Sequence, residues 1–187
     1  FVCAVNWWIC SGCGWTKALF GQSLIRDMLA WKLSLIRADL EKKEWSEKLK
    51  DLKELPKLVE QTLLIDNKIQ NISNTFNEAK GSMFLGRGFS YPIALEGALK
   101  LKELSYVHAE GYPAGEMKHG PLALIEEGMA VVILAPRDNY YKKTMSNMQE
   151  VIARGAKVLL IKNKSDEEIV YDKIGETMEV ESTTHDL

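Results

Sequence analysis

Along the first half of the chain apolar residues recur in steps of three and four, and along the second half they gather into short blocks. Leu24, Met28, Trp31, Leu35 and Ala38 trace one helical row between Ala18 and Ala38. From Asp39 to Glu54 the chain is highly charged, and Trp45, Leu49, Leu52 and Leu55 leave only a narrow apolar stripe, the pattern of a solvated helix. Pro56 predicts a kink or a restart. Leu58, Val59, Thr62 and Leu63 continue the row, and Ile69, Ile72, Phe76 and Ala79 predict a further helix before Gly81.

Beyond Gly81 the period changes. Met83 to Leu85, Ala130 to Ala135 and Lys157 to Lys162 are short runs rich in branched apolar residues, as expected of strands buried on both faces. Helix-length segments separate them, Tyr91 to Val107 and about Asn139 to Ala153, and Thr177 to Glu181 is a candidate last strand. An alternating β–α–β–α–β order predicts an α/β fold, a three-layer α/β/α sandwich with a parallel sheet and right-handed crossovers. Ligands of such sheets sit at the carboxyl ends of the strands, where Gly86-Arg87-Gly88 and Ala135-Pro136-Arg137 fall.

The stretch from Phe84 to Pro121 concentrates the candidate chemistry. After the strand and the glycine turn, Ser90 is positioned to cap a helix, with Pro92 in its first turn. Glu96, Lys100 and Glu103 then stand at i, i+4 and i+7 on one helical face, and Leu95, Ala98, Leu99 and Leu101 supply apolar surface. A Gly- and Pro-rich loop follows and ends in Glu116-Met117-Lys118-His119-Gly120-Pro121. By spacing alone Lys100 and Glu103 read as a surface salt bridge, and His119 as a loop histidine with an ordinary hydrogen bond. Gly86-Arg87-Gly88, ahead of a helix start, is open to two readings, a phosphate cradle and a tight strand-to-helix turn.

Composition narrows the function classes. With 187 residues, 46% of them apolar, the chain has room for one α/β core and an added helical segment, but not for two complete catalytic domains. A net charge of −2 and the lack of a basic stripe argue against nucleic acid as a partner. No apolar run reaches the roughly 18–20 residues of a spanning helix, so no membrane partner is expected and a cytoplasmic location is. The three cysteines, Cys3, Cys10 and Cys13, are odd in number and confined to the first 13 residues. Cys10 and Cys13 have zinc half-site spacing without a second pair, so the expectation is reduced thiols, no metal and no cofactor.

Three motifs carry a resemblance to a known family: Gly86-Arg87-Gly88, ALEGALKLKELSY from Ala94 to Tyr106, and AGEMKHGPLAL from Ala114 to Leu124. Together they resemble the isomerase half of the glutamine:fructose-6-phosphate amidotransferases (glucosamine-6-phosphate synthases), specifically the second of two sugar-isomerase (SIS) domains. The likeness runs from about Leu49 to about Ile161. It implies a flavodoxin-like, doubly wound sheet. Residues 1–80 correspond to a helical connector from the end of a preceding SIS domain, and 81–187 to a second SIS domain truncated at its carboxyl end.

By this resemblance Glu103 matches the proton-shuttling glutamate, Lys100 the lysine one turn earlier, and His119 the histidine that opens the sugar ring from the neighbouring subunit. A homodimer is thereby implied, with fructose 6-phosphate and glucosamine 6-phosphate as ligands and amino-sugar synthesis, leading to UDP-N-acetylglucosamine, as the pathway. His108 is read as ordering the loop near the site, Arg87 as making a subunit or interdomain salt bridge, and His185 carries no signal. Glu116 and Lys118 receive no role. Three family features have no counterpart here: the glutaminase domain, the serine-rich phosphate loop, and the carboxyl-terminal lysine segment. Trp15 stands where the family has a small hydroxyl residue, which marks residues 1–15 as anomalous. The chain alone is therefore expected to be weakly active or inactive. The alternatives are a phosphosugar-binding regulatory module without turnover and a deglycase-type relative.

Overall fold

The computed structural model describes residues 14–76, 79, 81–164 and 175–181. The cysteines, His185 and most of the anomalous first fifteen residues lie outside them. The chain divides at Pro56 into two compact units, the second being Lys57–Ser182. In the first, α1 (Gly14–Ile36) ends where Ala38 adopts a left-handed conformation, and the Asp39 N–H donates back to the Ser34 carbonyl. Lys48 sits over the Trp31 ring and Lys32 over Trp45, linking α1 to the start of α2 (Lys42–Leu63). Pro56 lies inside α2, so the helix does not restart there.

The second unit adds α3 (Asp66–Phe76) and a five-stranded, all-parallel sheet. Its strands are β1 (Ser82–Gly86), β2 (Ala109–Pro113), β3 (Ala130–Ala135), β4 (Lys157–Asn163) and β5 (Glu176–Val180), in the order β2-β1-β3-β4-β5. The order reverses between β1 and β3, the switch point of a doubly wound sheet. Helix α4 (Ser90–Ser105) joins β1 to β2 and packs on both, while α5 (Tyr141–Ala153) joins β3 to β4. Side chains alternate across β1: Met83 and Leu85 enter a core with Val131, Ile133, Val158 and Leu160 and with Met145, Met148 and Val151 of α5. Phe84 points the other way, against Gly97 of α4, so the helices cover opposite faces.

Two local features differ from the sequence reading. Helix α4 begins at Ser90 itself, with Phe89 as the flanking residue and no side-chain cap. Ser90 is buried beneath the turn, and an added Cβ at Gly86 would stand 2.2 Å from its carbonyl oxygen. The second difference is β2, Ala-Glu-Gly-Tyr-Pro, which reads as loop but forms an edge strand paired with β1. Gly111 lets it approach α4, since a Cβ there would lie 2.8 Å from the Leu95 Cα, and Pro113 comes only at its last position. No helix among the described residues is long and apolar enough to cross a membrane.

Tyr106 ends α4 in a left-handed conformation with its side chain 93% exposed. Replacing it with glycine should raise unfolding free energy by about 0.5–1 kcal/mol in urea titrations, because the strain goes and little packing is lost. Leu85→Ala should instead cost about 2–5 kcal/mol, since Leu85 is fully buried in the core. Equal responses would refute this account of the packing.

Candidate functional site

Helix α4 sets the geometry of the first group. Its sheet-facing positions are small, with Ala94 and Ala98 buried and Gly97 against the Phe84 ring, so the helix lies close to the strands. The outward face carries the charged row. Lys100 Nζ lies 2.5 Å from Glu103 Oε2 and 3.8 Å from Glu96 Oε1. The lysine side chain is only 18% exposed, whereas that of Glu103 is 42% exposed. Leu95 and Leu99 flank the row on one side and Ile93 and Leu104 on the other, all at least 40% exposed. Such flanks lower the local dielectric once covered, which strengthens an ammonium's hold on a developing oxyanion.

His119 is presented elsewhere. Because α4 runs back from the carboxyl edge of the sheet, Glu103 lies about 20 Å along the helix axis from Ser90, at 1.5 Å per residue. The loop after β2 instead starts at the carboxyl edge, where the Ala114 N–H donates to the Gly86 carbonyl at 2.8 Å. Its single turn Met117–His119 is pinned by Met117, fully buried in the core, and by Lys118, whose Nζ lies 2.7 Å from Glu150 on α5. His119 stands 73% exposed, with Nδ1 2.7 Å from Glu116 Oε2. The chain thus brings Lys100 and Glu103 together and sets His119 at the opposite edge.

Arg87 is occupied within its own chain. Its guanidinium lies over the Tyr140 ring and its Nη1 donates to Asn147 Oδ1 at 3.4 Å. Gly88, at φ 56°, admits the Tyr140 ring; a Cβ there would lie 2.7 Å from it. On β2, His108 Nε2 is 3.5 Å from Glu110 Oε1, and the Tyr112 hydroxyl donates to the same carboxylate. That hydrogen bond, more than burial or the neighbouring charge, pushes the Tyr112 phenol above its ordinary value. Sequence reasoning missed the partners Glu116, Asn147 and Tyr140. Among the described residues no cluster of three or more His, Cys, Asp or Glu could hold a metal ion.

The Tyr112 shift fixes a pH window. A phenol raised in the folded state contributes stability that is complete below pH 10.0 and is lost as pH rises through the higher folded value. The difference in alkaline ultraviolet titration between the parent and Tyr112→Phe should show one phenol titrating above 10.0, and Glu110→Ala should return it to the ordinary range. A Tyr112 phenol at its ordinary value in the parent would contradict the geometry.

Comparison with known proteins adds three findings. Residues 75–183 match the SIS domain family. The chain is 54% identical over 123 residues to a glutamine–fructose-6-phosphate aminotransferase (isomerizing) of Bartonella henselae, covering 66% of this chain and 20% of that protein. It is 45% identical over 151 residues to the enzyme of that name from Bacteroides thetaiotaomicron, covering 81% and 25%. The chain therefore spans about a quarter of the length of these curated relatives. Among solved structures, the C-terminal domain of glucosamine-fructose-6-phosphate aminotransferase from Francisella tularensis superimposes with a TM-score of 0.79 at 41% identity, over 83% of this chain and 43% of that one. A tagatose-6-phosphate ketose/aldose isomerase from Escherichia coli, 20% identical with a TM-score of 0.56 over 70% and 37%, shares the fold.

Proposed function

Since this chain belongs to the SIS domain family, we propose that it is the second sugar-isomerase domain of a glutamine–fructose-6-phosphate aminotransferase. In this reading residues 1–80 are the helical connector and 81–187 the domain itself. The substrate is fructose 6-phosphate, made into glucosamine 6-phosphate. The observation that carries the reading is the outward row of α4, in which Lys100 Nζ lies 2.5 Å from Glu103. A ketose becomes an aldose when a proton leaves the carbon beside the carbonyl (or the imine formed from it) and returns to the former carbonyl carbon. Glu103 performs both transfers, and the intermediate is an enediol or enolamine. Lys100 holds the Glu103 carboxylate in place and neutralises charge developing on the substrate oxygen.

His119 opens the sugar ring. Since it stands at the opposite sheet edge from Glu103 in its own chain, the reading gives one site the α4 face of one copy and the His119 turn of another, in a homodimer. A regulatory module that only bound a phosphosugar would need no base, and the presence of both Glu103 and His119 favours the enzymatic reading.

The test is solvent exchange in a full-length enzyme carrying this segment. With fructose 6-phosphate in heavy water, Glu103→Gln should reduce deuterium incorporation at the sugar carbons about 10²–10⁴-fold. Incorporation within a few-fold of the parent would remove Glu103 as the base.

A further inference from the structure

We propose that Glu116 is a positioning residue for His119: its carboxylate fixes the imidazole with hydrogen on Nδ1 and leaves Nε2 bare toward the sugar. This rests on the reading that His119 opens the ring. Nδ1 lies 2.7 Å from Glu116 Oε2, and the His119 backbone N–H donates to the Glu116 carbonyl at 2.9 Å. The segment between them is a 3₁₀ turn, in which side chains three apart eclipse one another. Its anchors, the buried Met117 and the Lys118–Glu150 pair, keep that juxtaposition from swinging away.

An ionised carboxylate only accepts hydrogen bonds. A neutral imidazole facing it must therefore donate from Nδ1, and its lone pair is then on Nε2. Free histidine prefers the opposite tautomer, so the carboxylate selects the form suited to the chemistry. Ring opening moves one proton from the anomeric hydroxyl to the ring oxygen as the carbon–oxygen bond breaks and the carbonyl forms. Bare Nε2 accepts the hydroxyl proton, and the imidazolium, held by Glu116, gives it to the ring oxygen as that oxygen takes the bond's electron pair. Histidine ends as it began. An Nε2–H tautomer could not take the first proton.

Both side chains are largely exposed, so the pair adds little to stability and its loss leaves the fold intact. The experiment is a multiple-bond proton–nitrogen correlation spectrum of the ¹⁵N-labelled chain at mildly alkaline pH. It contains three histidines, and the His119 signals are those lost in His119→Asn. The parent should show His119 with hydrogen on Nδ1, Glu116→Ala should lose that form to Nε2–H, and Glu116→Gln, whose amide oxygen still accepts, should retain it. An Nε2–H parent, or a tautomer unchanged in Glu116→Ala, overturns the proposal. In the full-length enzyme, Glu116→Ala should lower kcat with KM little changed, and Glu116→Gln should recover much of it. If His119→Asn leaves turnover intact there, the ring-opening reading fails while the tautomer result stands; an unchanged tautomer in Glu116→Ala beside an inactive His119→Asn sinks only the role of Glu116.

Discussion

Two parallel strands side by side can be joined only by a segment that carries the chain back to the edge where both begin, and between β1 and β2 that segment is α4. The crossover fixes much of the chemistry's geometry. Whatever α4 carries in its later turns lies toward the amino edge of the sheet, and whatever follows β2 lies at the carboxyl edge. Lys100 and Glu103 fall in the first class and His119 in the second. Strand direction sets the two groups apart in one chain, which is why the proposed reading draws His119 from a second copy.

Helix α4 is also apolar on nearly every side. Its inner positions are small enough to lie close to the sheet, while Ile93, Leu95, Leu99 and Leu104 remain exposed around the charged row. An exposed ion pair stabilises a helix by only about 0.3–0.5 kcal/mol, so the Lys100–Glu103 pair at 2.5 Å adds little to the fold, and its proposed role is in the reaction. Elsewhere Arg87, just after β1, lies over the Tyr140 ring and donates to Asn147.

Much of this was legible in the sequence. The blocks Met83–Leu85, Ala130–Ala135 and Lys157–Lys162 became β1, β3 and β4 because central parallel strands are apolar on both faces, and β5 lies within one residue of its expected place. The hidden strand was β2, whose glycine and proline serve an edge position and a close helix contact that composition alone does not reveal. The row Glu96, Lys100, Glu103 could be read from helical spacing. Glu116 beside His119 could not, because a three-residue interval pairs side chains this way only once the local turn is known to be 3₁₀. Asn147, sixty residues from Arg87, has no local signal at all.

The central claim, that one site draws Glu103 from one copy and His119 from another, is tested most directly by mixing two inactive full-length variants, Glu103→Gln and His119→Asn. In a mixed dimer one site carries both changes and the other carries neither. Unfolding and refolding an equal mixture should therefore restore about a quarter of the parent's turnover, half of the dimers being mixed with one intact site each. A mixture as inactive as its components, with mixed dimers shown to form, would contradict the shared site.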